Sequence, residues 1–201
     1  MNEPLDWSVF NEVYQNRIWA TGESVSGPGS TLDMTAILRI RLATVFRKLG
    51  IRSIVDAPCG DMTWMRKIDY QFDKYIGIDI VPDLIDALRE EKFSDNYHFQ
   101  VSNITTDILP VADAILCRDC LVHLPFVAAI EVPRLWKRAG FRFVFATTFP
   151  GQRQNIDCAV GEWRPLNMEL SPFGWPEPLL VLSEGHPAPF EDKSIGVWAT
   201  W

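Results

Sequence analysis

The sequence predicts an α/β fold with a mostly parallel seven-stranded sheet, helices on both faces and an antiparallel strand pair at the C-terminal end. Strand-like and helix-like apolar patterns alternate between residues 53 and 148. After residue 148, a segment rich in Pro, Gly and Trp precedes two short apolar runs. The length of 201 residues, with 47% hydrophobic and 22% charged residues, is typical of one globular domain, which we expect to span residues 1–201.

The N-terminal segment, residues 1–31, is predicted to form a lid or cap. A short aromatic helix precedes a glycine-rich loop at residues 22–30, and glycine permits the hinge motion that a lid needs. The aromatic residues of this helix are Trp7, Phe10, Tyr14 and Trp19. A second helix is predicted over residues 32–49, where apolar residues recur at helical spacing. Ser30 or Thr31 can cap its start, and Gly50 is placed to end it.

The central region supplies the parallel part of the sheet. We predict strands at residues 53–57, 75–80, 97–101, 112–117 and 141–148, with the third at an edge. Helices are predicted to start near Trp64 and to span residues 82–91 and 125–139. A long loop at 149–178 is followed by strands at 179–182 and 195–199, which form the antiparallel pair.

Composition excludes several classes of function. The net charge of −7 and the pI near 5.0 argue against a nucleic-acid partner, because such proteins carry a basic face. No apolar run is long enough for a membrane span and no secretory signal is evident, so we expect a cytoplasmic protein without a membrane partner. The four cysteines are expected to remain thiols. Cys117 and Cys120 lack a second ligand pair, so no metal site is predicted. The oligomeric state is left open.

Two acidic residues and a glycine mark the expected ligand site. Asp56 ends the first strand, Gly60 lies in the turn that follows, and Asp79 ends the second strand. In an open α/β sheet, the first turn lets the backbone approach a ligand, and an acid about 20 residues later accepts hydrogen bonds from ribose hydroxyls. Taken alone, Gly60 fits an ordinary tight turn equally well, and Asp79 fits an ordinary helix N-cap equally well. Their order on successive strands favours a nucleoside-containing cofactor.

These residues resemble the motifs of the class I S-adenosylmethionine-dependent methyltransferases, and the resemblance covers about residues 32–201. It implies a Rossmann-like sheet and S-adenosyl-L-methionine as cofactor. Asp79 matches the ribose-binding acid, and Asn103 stands where the family binds the adenine amino group. Pro58 and Met62 replace the family's outer glycines. The cofactor-binding residues that the resemblance implies are Asp56, Ala57, Pro58, Cys59, Gly60, Trp64, Asp79, Ile80, Asn103, Ile104, Cys117 and Arg118.

Three stretches, residues 23–30, 56–61 and 117–124, are similar to those of a group of small, largely uncharacterised bacterial methyltransferases. This similarity implies no particular substrate. Arg118 in the last stretch could anchor a carboxylate of cofactor or substrate, or could be an ion-paired residue at the rim.

Two residues after the fourth strand are candidate catalytic groups. His123 could accept a proton from an O–H or N–H nucleophile, or it could pack and make one local hydrogen bond. Asp119 could orient the His123 ring, act as the base itself, or cap the following helix. His98 and His186 are expected on the surface.

The substrate-binding residues are expected in the lid and in the long loop. Trp19 and Trp64 could present an indole face to a cationic sulfur. Long loops at this end of an α/β sheet often contact substrate, although solvated loop charges are the alternative. The candidates are Trp19, Asp157, Glu162, Arg164 and Asn167.

Methyl transfer needs alignment and exclusion of water more than covalent machinery. The acidic chain favours a small-molecule acceptor with an oxygen or nitrogen nucleophile. Two other functions stay open, a nicotinamide-dependent oxidoreductase and a non-catalytic partner protein with the same fold. The oxidoreductase needs glycines that admit a pyrophosphate, whereas this turn has one glycine followed by Asp61.

Overall fold

The computed structural model describes residues 5–201, so the start of the predicted lid, residues 1–4, lies outside the described residues. Seven strands form one sheet in the order β3-β2-β1-β4-β5-β7-β6. Their bounds are β1 Ser53–Asp56, β2 Lys74–Asp79, β3 Tyr97–Val101, β4 Ala114–Cys117, β5 Phe143–Thr148, β6 Leu180–Ser183 and β7 Ser194–Ala199. Strands β1 to β5 are parallel, and β7 runs antiparallel to both β5 and β6. The predicted fold class, the C-terminal antiparallel pair and the edge position of β3 are confirmed.

The helices cover the sheet and bury an apolar core on each face. Their bounds are α1 Ser8–Gln15, α2 Ala36–Leu49, α3 Pro82–Glu90, α4 Phe126–Ala129 and α5 Val132–Ala139. One core lies under α2 and α3, and the other lies under α5 and the loop after β5. Tryptophan supplies much of the second core, where Trp136, Trp175 and Trp198 are buried. None of the described helices is long and apolar enough to cross a membrane.

Helix α2 begins four residues later than predicted. The segment before it forms turns, in which the Thr35 hydroxyl donates to the Thr31 carbonyl (2.7 Å) and the Leu32 amide donates to the Glu23 carboxylate (2.7 Å). These bonds stabilise the turns that precede the helix. The predicted end is correct: Gly50 has a φ of 62°, a left-handed conformation that glycine adopts without a steric penalty.

Two predicted helices are wrong in form. Only a three-residue 3₁₀ turn, Met65–Lys67, follows β1, and there the Arg66 guanidinium donates to the carbonyls of Asp61 and Met62 (3.0 and 3.1 Å). The predicted helix at 125–139 is divided into α4 and α5. Pro133 lies in the first turn of α5, and its ring excludes a continuous helix through this point.

Candidate active site

A cavity of about 530 Å³ lies beyond the carboxyl ends of the parallel strands. Its size falls in the range of small-molecule sites. Strand β1 has β2 on one side and β4 on the other, so successive strands are added in one direction up to β3 and in the opposite direction from β4. Open α/β sheets bind ligands at the point where this strand order reverses. The predicted site residues that line it are Trp19, Pro58, Cys59, Gly60, Trp64, Asp79, Ile80, Asn103, Ile104, Arg118, Asp119 and His123.

The turn after β1 is held in a left-handed conformation. Gly60 has a φ of 54° and Met62 a φ of 61°, so Met62 adopts a conformation that favours glycine. The Cys59 amide donates to the Ile78 carbonyl (2.8 Å), which joins the turn to β2. A Cβ added at Gly60 would lie 2.5 Å from the Ser26 hydroxyl oxygen. The close approach at Gly60 is therefore made by the N-terminal loop.

Asp79 presents a buried carboxyl group at the end of β2. Its Oδ2 accepts from the Gly60 amide (3.2 Å) and its Oδ1 from the Val81 amide (3.1 Å), so each oxygen retains a lone pair. Burial raises the pKa of Asp79 to about 6. Asp79 thus couples the first turn to the second strand and faces the cavity as an acceptor.

Three of the predicted cofactor residues, Asp56, Ala57 and Cys117, are buried in the sheet and do not line the cavity. The Tyr75 hydroxyl donates to Asp56 at 2.5 Å, and burial raises the pKa of Asp56 to about 7. The structure therefore places these residues behind the turn, where they support it.

Asn103 closes a loop after β3. Its side-chain oxygen accepts from the amide and the hydroxyl of Thr105 (2.9 and 2.7 Å), and its backbone amide donates to Asp107 (2.8 Å). The expected role of this oxygen as an acceptor for an adenine amino group does not fit, because the loop already uses it. The side-chain nitrogen is the group that remains for a ligand.

A buried ion cluster, which we define as Arg118, Asp119, Glu184, His186 and Lys193, forms one wall of the site. The Arg118 Nη2 lies 2.6 Å from Glu184, which also lies 3.0 Å from the His186 Nε2 and 3.6 Å from Lys193. The Asp119 Oδ2 lies 2.6 Å from Lys193 and 3.3 Å from Arg118. Two cations therefore face two carboxylates away from bulk water.

Asp119 is fixed as part of this cluster. Its φ of 52° is a strained value for a residue other than glycine, and its amide donates to the Thr147 hydroxyl (2.8 Å). Burial alone would raise the pKa of Asp119, but Lys193 and Arg118 hold it well below its usual range. An aspartate held ionised in this way is a poor proton acceptor, which argues against Asp119 as the base.

His123 has a ring held by the long loop. Its Nδ1 lies 3.0 Å from the Glu162 carbonyl, and Trp19 stacks on it with centroids 4.7 Å apart. Because a carbonyl only accepts, Nδ1 carries the hydrogen and Nε2 can accept a proton. Burial lowers the pKa of His123, which favours the neutral ring. We predicted that Asp119 could orient the His123 ring, but the Glu162 carbonyl makes the hydrogen bond that orients it.

The four loop residues predicted to bind substrate do not line the cavity. Arg164 donates to the Leu121 and Ile156 carbonyls (2.7 and 3.0 Å). Asp157 accepts from the Phe126 amide at the start of α4 (2.7 Å) and Glu162 from the Ala159 amide (2.9 Å). Asn167 pairs with Asn155 through its backbone (2.9 Å). These residues build the loop because its carbonyls and amides need partners.

The N-terminal segment lies over the cavity. The aromatic residues Trp7, Phe10, Tyr14 and Trp19 line it. Asp61 fastens the following loop, because its carboxylate accepts from the Ser24 hydroxyl (2.8 Å) and the Val25 amide (2.6 Å). The Asp61 amide in turn donates to the Ser26 hydroxyl (3.0 Å).

Sequence reasoning missed the contributions of Asp61, Glu184, His186 and Lys193. His186 was expected on the surface, but it is buried and lines the cavity. Its partner Glu184 is only two residues away, but Glu184 in turn binds Arg118, 66 residues earlier in the chain. The Glu184-Gly185-His186-Pro187 turn between the last two strands carried the only signal, since it concentrates charge beside apolar strands.

Comparisons with known proteins support the fold. No family model and no curated protein matches the chain. Among solved structures, it is similar to magnesium protoporphyrin IX methyltransferase from Synechocystis with bound S-adenosylmethionine, with a TM-score of 0.62, 13% identity and coverage of 98% of both chains. It is also similar to human N-acetylserotonin methyltransferase in complex with S-adenosylmethionine (TM-score 0.56, 14% identity, 96% of this chain and 66% of that one).

A third similar structure is an N-methyltransferase from Bradyrhizobium japonicum in complex with S-adenosylhomocysteine. The TM-score is 0.55, the identity is 12%, and the match covers 69% of this chain and 74% of that one. At these identities the likeness concerns the arrangement of strands and helices.

Proposed function

Because the chain has the fold of class I S-adenosylmethionine-dependent methyltransferases, we propose that it binds this cofactor and methylates an oxygen or nitrogen atom of a small molecule. The observation that carries this proposal is the position of Asp79. Its buried carboxyl lies at the end of β2, faces the cavity and retains acceptor capacity on both oxygens. Paired ribose hydroxyls are the donors that such a group binds.

The other residues of the cavity fit the rest of the cofactor. Ile80 and Ile104 offer apolar contacts for an adenine ring, and the side-chain nitrogen of Asn103 can donate to a ring nitrogen. The cofactor supplies a methyl group activated by a cationic sulfur. His123 can take the proton that the methyl acceptor loses, and Trp19 over its ring limits access of water.

The absence of a helix after β1 weakens the oxidoreductase alternative. Dinucleotide sites place the pyrophosphate at a helix N-terminus, whose amides and dipole attract the negative charge. Within residues 57–73, the described structure has only the 3₁₀ turn Met65–Lys67, and the Asp61 carboxylate lies beside the glycine turn. Neither feature attracts phosphate.

Calorimetry on Asp79 variants tests the proposal. We expect wild-type protein to bind S-adenosylmethionine and S-adenosylhomocysteine, and to bind NAD much more weakly. We expect Asp79→Ala to weaken cofactor binding by roughly 1–3 kcal/mol, because buried hydroxyls lose their acceptor. Asp86→Ala, which removes an exposed carboxylate from α3, is the matched control. Equal affinities in wild type and Asp79→Ala, with both proteins folded, would exclude the ribose assignment.

The raised pKa of Asp79 predicts that cofactor affinity depends on pH. Hydroxyl donors stabilise the ionised carboxylate, so cofactor binding lowers the pKa of Asp79 from about 6, its value in the protein without cofactor. Affinity should consequently decrease as the pH falls below 6, by about tenfold between pH 7.5 and pH 5. Asp79→Asn should lose this dependence. If Asp79→Asn retains the full pH effect, another group such as Asp56 is responsible and the prediction is wrong.

We further propose that α1 and residues 16–23 act as the lid. Helix α1 has no buried residue, and its end is joined to α3 by a bond between Gln15 and Asp83 (3.2 Å). A ligand in the cavity adds apolar contacts to Trp7, Phe10 and Trp19. We expect S-adenosylhomocysteine to slow amide hydrogen exchange in residues 8–19, while exchange in the edge strand β3 stays unchanged. Equal exchange of residues 8–19 with and without ligand would contradict the lid.

A further inference from the structure

Two half-exposed aromatic rings line the outer part of the cavity. Trp163 is 43% exposed and Phe190 is 41% exposed, and their rings meet edge to face with centroids 5.3 Å apart. Both residues line the cavity. Large aromatic side chains kept partly in water at the mouth of an apolar cavity are suited to contact another ring.

Trp163 is held directly beside His123. The Gly161 amide donates to the His123 carbonyl (2.9 Å), and the Arg164 amide donates to the Val122 carbonyl (3.1 Å). The His123 ring itself bonds to the Glu162 carbonyl (3.0 Å). The buried ring of Phe149 packs edge to face against Trp163 at 5.9 Å. Trp163 and the proposed base therefore lie on hydrogen-bonded neighbouring segments, and both line the cavity.

Phe190 is held by a turn that leads into the ion cluster. Its amide donates to the Pro187 carbonyl and its carbonyl accepts from the Lys193 amide, both at 3.0 Å. The Lys193 ammonium binds Asp119 (2.6 Å). Phe190 is thus joined to the wall that contains the cluster, and Trp163 contacts it through the Phe190 ring.

The charges of this wall are balanced internally. Arg118 and Lys193 each contact a carboxylate, and Asp119 and Glu184 each contact a cation. The second oxygen of Asp119, Oδ1, has no partner among residues 5–201, but it is buried. An ionic methyl acceptor would lose hydration without gaining a free counter-charge here. A neutral molecule avoids this cost.

We propose that Trp163 and Phe190 bind the aromatic ring of a neutral phenol and place its hydroxyl group at His123. The proposal rests on the proposed function, since it names the class of methyl acceptor. A phenol ionises near pH 10, so its proton can pass to a neutral imidazole during transfer. The phenol oxygen bonds to the methyl carbon as the carbon–sulfur bond breaks and its electron pair stays on sulfur. The phenol proton moves to the His123 Nε2, and the cationic sulfur becomes a neutral thioether.

Binding of four small molecules to protein saturated with S-adenosylhomocysteine tests the proposal. The probes are 4-ethylphenol, the non-aromatic 4-ethylcyclohexanol, the cationic tyramine and the anionic 4-hydroxyphenylacetate, with dissociation constants from calorimetry. We expect 4-ethylphenol to bind about tenfold more tightly than 4-ethylcyclohexanol, which is the upper range for contacts of one ring with aromatic partners. We also expect it to bind more tightly than both charged probes.

Variants of the two aromatic residues identify where the ring binds. Trp163→Leu and Phe190→Leu should each reduce the preference for 4-ethylphenol over 4-ethylcyclohexanol by about threefold or more, while the affinity for S-adenosylhomocysteine stays unchanged. Trp201→Leu is the matched control, because Trp201 is 41% exposed and does not line this cavity. Thermal unfolding of each variant verifies that it is folded.

The outcomes separate the two proposals. If wild-type protein does not bind S-adenosylhomocysteine, the proposed function fails. If it does bind, three results overturn the phenol site: equal affinity for 4-ethylphenol and 4-ethylcyclohexanol, tighter binding of tyramine or 4-hydroxyphenylacetate, or no binding of 4-ethylphenol at millimolar concentration. An unchanged aromatic preference in both leucine variants overturns the assignment to Trp163 and Phe190.

Discussion

Replacing His123 with alanine is expected to lower kcat by roughly 10²–10⁴, the range for loss of a positioned base, while the affinity for S-adenosylhomocysteine changes little. The Glu162 carbonyl fixes the His123 tautomer, and Trp19 covers the ring. In His123→Ala, a water molecule is therefore a poor replacement for the imidazole as proton acceptor. Turnover is measured as S-adenosylhomocysteine formation with the most tightly bound acceptor.

Two variants separate the loss of the base from the loss of packing. His123→Gln retains a group that can donate to the Glu162 carbonyl but cannot take a proton, so its kcat should be as low as that of His123→Ala. His98→Ala alters an exposed strand residue and should leave kcat unchanged. Wild-type kcat should rise with pH up to the pKa of His123, which burial lowers below 6.5, and then stay constant. A near-normal kcat in both His123 variants would leave alignment as the source of catalysis.

Truncating Glu184 to alanine is expected to lower the free energy of unfolding by about 3–5 kcal/mol, because the buried cations Arg118 and Lys193 are then left with the single carboxylate of Asp119. The Glu184 side chain is fully buried and lies 2.6 Å from Arg118 and 3.0 Å from His186. Urea denaturation measures the effect. Asp69→Ala removes one member of an exposed pair with Arg47 and should cost less than about 1 kcal/mol.

The stabilisation by Glu184 should depend on pH in one direction. Burial alone would raise the pKa of Glu184, but Arg118 and Lys193 lower it below the ordinary value of 4.5. A lowered pKa contributes stability that is present above pH 4.5 and is lost as the pH falls through the folded-state pKa. The difference in stability between wild type and Glu184→Ala should accordingly shrink in acid. A small, pH-independent difference would contradict the buried cluster.

The fold was predictable from the sequence because its signals are local. Strand and helix patterns alternate regularly, and Gly50 ends α2 through its own conformation. The errors concern how far a helix extends. After β1 only the 3₁₀ turn Met65–Lys67 forms, and Pro133 divides the helix at 125–139 because its ring clashes with the preceding turn. Periodicity alone does not show where a helical segment stops.

The cavity was predictable in part for the same reason. Asp79 ends β2 and Gly60 lies in the turn after the neighbouring strand β1, so their order along the chain predicts their proximity. The wall formed by the ion cluster was not predictable, since Arg118 and Glu184 are joined only by the folding of the turn after β6. Arg164 was predicted to contact substrate because it lies in the long loop, whereas its side chain donates to the carbonyls of Leu121 and Ile156 and does not line the cavity.

The hydrogen bonds of Asp61 have a consequence for how we expect molecules to enter and leave the cavity. Residues 24–26 are fastened to the turn after β1 by hydrogen bonds from the Ser24 hydroxyl and the Val25 amide, and by the bond from the Asp61 amide to Ser26. Among the hydrogen bonds that residues 8–15 make within the described chain, only the one between Gln15 and Asp83 reaches beyond residues 6–18. We therefore expect passage on the side of α1, so that cutting this link with Gln15→Ala accelerates release of S-adenosylhomocysteine without altering the contacts of the nucleoside.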